Sequence, residues 1–108
     1  CISANAASAF KTLETNETYD CTAPISAYGT EAYIYNAKSS YYKVYGYIEY
    51  KSGTKYVTDV KFLVDQGITS PWHQSASYFS TKKQWQLEIN PWGSLFKDCT
   101  AEGKIRSR

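Results

Sequence analysis

Pro24-Ile25-Ser26-Ala27-Tyr28-Gly29-Thr30-Glu31-Ala32-Tyr33-Ile34-Tyr35-Asn36-Ala37-Lys38 is the stretch on which the fold class turns. Pro24 suits the first turn of a helix, where its missing N–H breaks no bond. Ile25, Tyr28, Ala32 and Tyr35 recur at three- and four-residue spacing and give one apolar stripe over about residues 26–38. Gly29 works against that reading, since glycine inside a helix costs ~1 kcal/mol relative to alanine. Ser39-Ser40 closes the segment. A helix is expected here.

On both sides the period is two. Upstream, Glu17 to Thr22 reads as a short strand with Tyr19 and Cys21 on one face. Downstream, residues 41–51 place Tyr42, Val44, Gly46, Ile48 and Tyr50 on a core face. Tyr41, Lys43, Tyr45, Tyr47, Glu49 and Lys51 fall on a solvated one. Ser52-Gly53 marks a hairpin turn, and Tyr56, Thr58, Val60, Phe62 and Val64 alternate on the returning strand. Gln66 to Ser75 reads as a loop carrying Pro71, Trp72 and the single histidine, His73. Strands over 76–81 and 84–89 meet at Lys82-Lys83, with Trp85, Leu87 and Ile89 on one face and Gln84, Gln86 and Glu88 on the other. Asn90-Pro91-Trp92-Gly93 then turns the chain into a last strand ending at Cys99. One helix followed by adjacent antiparallel strands is an α+β pattern, an N-terminal helix packed on a curved antiparallel sheet. Residues 17–100 form the expected domain, 1–16 an arm or signal-peptide remnant, and 101–108 a loose basic tail.

Composition narrows the classes. A chain of 108 residues has room for one domain and one modest core. Twelve Lys+Arg against ten Asp+Glu give a charge of +2, too little by itself to call for a polyanionic partner. Aromatics make up 17%, and eleven of them are tyrosines, which suit strands with one wet face. No apolar run approaches the about 18 residues of a membrane span, so no membrane partner is expected, and the chain reads as a monomer. Ala4-Asn5-Ala6 and Ala7-Ser8-Ala9 have the small-x-small form of a signal-peptidase site. Alternatively, Cys1 reads as the lipidated terminus of a bacterial lipoprotein. Either reading implies export, where disulfides persist. A bridge between Cys21 and Cys99 would fasten the first expected strand to the last and stabilise the fold by ~4–5 kcal/mol, leaving Cys1 as the odd thiol. Asn16-Glu17-Thr18 fits the glycosylation sequon, a common triplet.

Tyr19-Asp20-Cys21, the Pro-started stretch after it, Val60-Lys61-Phe62-Leu63-Val64, Tyr78-Phe79-Ser80-Thr81 and Leu95-Phe96-Lys97-Asp98-Cys99-Thr100 occur in an order that resembles the small fungal guanine-specific ribonucleases. The order is still more similar to that of the RNase-like effectors secreted by powdery mildews. The resemblance implies a ribonuclease scaffold over about residues 17–100 and a secreted protein acting inside a host cell. It implies binding to a host protein, to RNA in a lesser role, and detection by a plant immune receptor. It also sets catalytic positions near Lys43, Lys61, Ser77 and Asn90, and none of these side chains is the general base, acid or phosphate-binding arginine that RNA cleavage needs. A non-catalytic effector is therefore expected. An active extracellular ribonuclease or ribotoxin, and a bacterial lipoprotein or inhibitor domain, are the competing classes.

Other chemistries find less in the residues. One histidine and cysteines at positions 1, 21 and 99 give no zinc spacing, and no nucleotide-binding glycine pattern is present, so no metal or cofactor is expected. Glu49 and Asp59 could face one another across the hairpin, but charges on a wet strand face ordinarily neighbour lysines, as Lys51 and Lys61 do here. Lys43, Tyr45, Tyr47, Lys51 and Lys61 form the candidate binding face, combining rings for stacking with cations for phosphates. Trp72, beside Pro71, and neighbouring His73 join it as loop candidates, while Trp92 reads as an anchor or a lid.

Overall fold

The computed structural model describes residues 7–92 and 96–108. Residues 24–38 are not helical. They hold two strands, β3 (Ile25–Ala27) and β4 (Thr30–Asn36). Thr30, Ala32, Ile34 and Asn36 are fully buried, alternating with the half-buried Glu31, Tyr33 and Tyr35. The apolar residues at helical spacing are real, but Tyr28 is exposed and Tyr35 lies on the outer side. Threonine, isoleucine and two tyrosines in seven residues favour an extended chain, and Gly29 disfavours a helix. β3 and β4 belong to different sheets, so the chain crosses between sheets at Tyr28-Gly29. Gly29 is needed there, because an added Cβ would stand 2.5 Å from the Tyr78 ring.

Without a helix, the architecture is all-β, and the α+β expectation is corrected: two antiparallel sheets face each other. The first has the order β1-β9-β4-β7, with β1 (Ser8–Leu13), β7 (His73–Gln74) and β9 (Ala101–Ser107). The second has the order β2-β8-β5-β6, with β2 (Asp20–Cys21), β5 (Val44–Ser52), β6 (Lys55–Val64) and β8 (Lys83–Pro91). β2 and β3 both pair with β8, as one edge strand interrupted near Pro24. Pairing shifts by one residue across the interruption, a bulge at a sheet edge where proline is tolerated.

The chain's two ends depart most from expectation. The tail is a central strand: β9 pairs with β1 on one side and β4 on the other. Its Ala101, Gly103 and Ile105 are buried, while Glu102, Lys104 and Arg106 face out, so charge on the wet side concealed a half-buried strand. β1 lies within the expected arm. Residues 76–81 form no strand, and neither do 96–100. Cys1, Ala4-Asn5-Ala6 and positions 93–95 lie outside the described residues.

Cys21 and Cys99 are free thiols, so the bridge expected between them is absent. Cys99 is buried and donates its S–H to the Tyr42 carbonyl at 3.4 Å, whereas Cys21 sits on β2 opposite Glu88. The pairing of β1 with β9 joins the ends instead, and an ion pair at 3.5 Å from Lys11 on β1 to Asp20 on β2 ties the first sheet to the second.

The core fills the space between the sheets, with Ala32, Ile34 and Ile105 from one side and Val44, Ile48, Trp85, Leu87 and Ile89 from the other. Two glycines permit close approach. A Cβ at Gly46 would lie 2.7 Å from Ile34 Cδ1, and one at Gly103 would lie 2.7 Å from Leu87 Cδ2. Buried Asn36 also links the sheets, donating from Nδ2 to the carbonyls of Tyr42 and Val64, both at 3.1 Å. The free side of β4 is covered by residues 68–75, where the Ser70 and Ser75 hydroxyls accept the Ile34 and Thr30 N–H groups at 3.0 Å. The segment expected to be a loop thus seals an edge.

Candidate binding face

The outer side of the second sheet carries three neighbouring cross-strand rows. One row is Cys21, Glu88, Tyr47 and Lys61; it is flanked by Asn90, Tyr45 and Leu63, and by Gln86, Glu49 and Thr58. These residues share a face because side chains alternate along each strand. The register of β6 changes opposite Ile48 and Glu49, leaving Asp59 as an extra, bulged residue. The bulge turns Tyr56 and Thr58 to the face opposite the one their spacing from Val60 implies. It also separates Asp59 from Glu49. The Asp59 carboxylate accepts the Ser77 N–H at 3.0 Å and the Ser77 hydroxyl at 2.6 Å.

One end of the face is aromatic. The Tyr45 ring lies 6.0 Å from that of Tyr47 and 6.3 Å from that of Trp92, between centroids. Lys61 Nζ stands 4.4 Å from the Tyr45 centroid and 5.9 Å from that of Tyr47. Trp92 is 45% exposed and Leu63 is 41% exposed. Trp92 follows β8 with φ at 50°, a left-handed conformation unusual for a bulky residue, and its N–H donates to the Lys43 carbonyl at 2.9 Å. That hydrogen bond and the Tyr45 contact hold a strained residue with its indole in solvent.

The other end is acidic. A ligating atom from each of Cys21, Glu49 and Glu88 lies within 4.8 Å of the others. Gln86 Nε2 donates to Glu49 Oε1 at 2.8 Å and to Cys21 Sγ at 3.7 Å, while Asn90 Nδ2 donates to Glu88 Oε2 at 3.0 Å. Burial pushes the Cys21 thiol up to about 12, with the charges of Glu88, Glu49 and Asp20 acting in the same direction. Burial also raises Glu49 above the ordinary carboxylate range; the Gln86 amide opposes this and Glu88 reinforces it. Tyr47, beside the cluster, is raised by burial and by Glu88.

The face expected from sequence is thus only partly assembled. Tyr45, Tyr47 and Lys61 come together. Lys43 precedes β5 and pairs with Asp65 at 3.5 Å, and Lys51 lies at the far end of β5 opposite Tyr56. Trp72 is on the first sheet, where the Arg106 guanidinium stacks 3.7 Å from its ring centroid and Tyr33 meets it edge-on at 4.8 Å. Arg106 also bonds to Glu31 at 2.6 Å, so both partners of that stack are committed inside the chain. His73 lies against Phe62, ring centroids 4.1 Å apart, beside a cavity of about 300 Å³ lined by Ile68 and Pro71. Burial lowers its pKa. Sequence reasoning left Trp92 and the Cys21–Glu49–Glu88 cluster out of the face. Alternation sets Gln86 and Glu88 on the face opposite Trp85 and Leu87, but nothing local ties position 21 to positions 49 and 88. Comparison with protein-family models, with curated proteins and with solved structures finds no match for this chain.

Proposed function

We propose that this chain is a non-enzymatic binding module that engages a protein partner through Tyr45, Tyr47, Trp92, Lys61 and Leu63. The observation that carries the reading is the exposed Trp92, whose ring lies against Tyr45, which in turn meets Tyr47 and Lys61 on the same sheet face. Exposed tryptophan and tyrosine on a preformed surface supply large contact area for little lost conformational entropy, which is why they dominate interface energetics. Strained backbone at Trp92 supports the same reading, since such conformations cluster where side chains are held for a task. Trp72 is the weaker anchor because Arg106 and Tyr33 already occupy its ring.

The same face disfavours RNA. Glu49 and Glu88 share it with the rings: Glu88 lies in the row of Lys61 and Glu49 in the row between Lys61 and Lys51, so a phosphate backbone crossing it would meet two carboxyl groups for two lysines. With the helix gone, a host target, an immune receptor, secretion and action inside a host cell rest on the Tyr19-Asp20-Cys21 triplet and the small-residue start, and they form no part of this proposal.

The test is selection of binders from a random peptide display library on the reduced, folded chain. Trp92→Ala and Tyr47→Ala should each weaken the selected peptides by about 2 kcal/mol, roughly 30-fold in Kd, with circular dichroism unchanged. Peptides indifferent to both substitutions would refute the face. Tight binding of single-stranded RNA, or defined cleavage of total RNA, would refute the partner class and the lack of activity respectively.

A further inference from the structure

We propose that Cys21, Glu49 and Glu88 form a binding site for a divalent cation of the zinc class on the outer face, adjoining the aromatic platform at Tyr47. Three donors of two chemical kinds converge from three adjacent, hydrogen-bonded strands, β2, β5 and β8. Their atoms lie within 4.8 Å of one another. Donors at about 2.0–2.3 Å from a tetrahedral zinc stand roughly 3.5 Å apart, so a closure of little more than about 1 Å completes the set.

Two further observations point to a cation. Glu49 is 9% exposed, and its carboxyl group is held by the Gln86 amide on one side and against the Glu88 carboxyl group on the other. None of the ion pairs among the described residues involves Glu49 or Glu88; these join Lys11 to Asp20, Lys43 to Asp65 and Arg106 to Glu31. Two carboxyl groups brought together with no cation hold their contact by retaining a proton between them, the place a divalent ion would take. The surroundings are already arranged as an outer shell. Gln86 holds both Cys21 and Glu49, and Asn90 holds Glu88, the kind of support that orients metal ligands.

The donor set names the ion class. A sulfur ligand disfavours magnesium and calcium, while two carboxylates admit zinc, cobalt and cadmium. Three protein ligands leave the fourth position to water. On binding, the Cys21 thiol becomes a thiolate bonded to the metal and its proton passes to solvent.

Titration of the intact, reduced chain with Co²⁺, read by absorbance, tests this. A thiolate-to-cobalt charge-transfer band should grow to one equivalent, be reversed by Zn²⁺, and persist in Cys99→Ser and Cys1→Ser. It should vanish in Cys21→Ser. Glu88→Gln, which keeps the thiol, should weaken Co²⁺ binding at least about tenfold. Zinc should raise the melting temperature of the native chain and not that of Cys21→Ser. If Cys21→Ser fails to fold, the decision passes to Glu88→Gln. No charge-transfer band, a band that survives Cys21→Ser, or equal affinity in Glu88→Gln would each overturn the site.

Discussion

The Phe62–His73 stack shows how a single side chain makes stability depend on pH. An unfolded imidazole titrates near 6.5, and burial lowers the folded value. Between the two, the unfolded state holds more protons, so stability falls as pH drops below about 6.5 and stops falling below the folded pKa. His73→Phe keeps an aromatic ring on Phe62 and removes the proton site. Its melting temperature should fall less than that of the native chain on going from pH 7 to pH 5; parallel curves would show that His73 contributes nothing. At this scale the sequence was informative where alternation was clean. Val44, Gly46 and Ile48, with Trp85, Leu87 and Ile89, lie on the core face that their spacing implies. It misled where a residue's neighbour comes from another strand: Trp72 finds Arg106, a residue assigned to a loose tail, and Cys21 finds two glutamates instead of Cys99.

Among elements, the hairpin of β5 and β6 was readable, because two long alternating runs flank an evident turn. The bulge inside it was not. Asp59 looks like one more outward residue, yet it shifts the register and carries the Ser77 segment. Asp59→Ala should therefore speed hydrogen exchange at the Ser77 amide and lower stability by about 1–2 kcal/mol, while the Trp85 amide stays protected. An unchanged Ser77 rate would mean that the two hydrogen bonds do not hold the segment. Residues 24–38 failed for a different reason. Seven-residue β4 and three-residue β3, split by a glycine, place apolar residues at intervals that satisfy a helical stripe as well as two short strands. Choosing between them depends on partners as distant as β8 and β9, which no local pattern reveals.

For the whole molecule, the departure that matters is the place of β9. A tail can be removed; a middle strand cannot. Deleting residues 101–107 would strip β1 and β4 of their shared neighbour and open Ile34 and Leu87 to water. The deleted chain should show no cooperative thermal transition, whereas a transition within a few degrees of the native one would restore the reading of a loose tail. The candidate site depends on the same architecture only indirectly, since its residues sit on the second sheet, whose strands all lie within residues 20–91.

That division has a temporal side. Synthesis runs from the amino end, at about 5–20 residues per second. The second sheet can begin to pair once β8 has left the ribosome, but β1 and β4 must wait for the segment that will separate them. Until Ala101–Ser107 emerge, Ile34 and Ala32 belong to an unfinished layer, and the nascent polypeptide carries a sticky half-sandwich that only β9 can close.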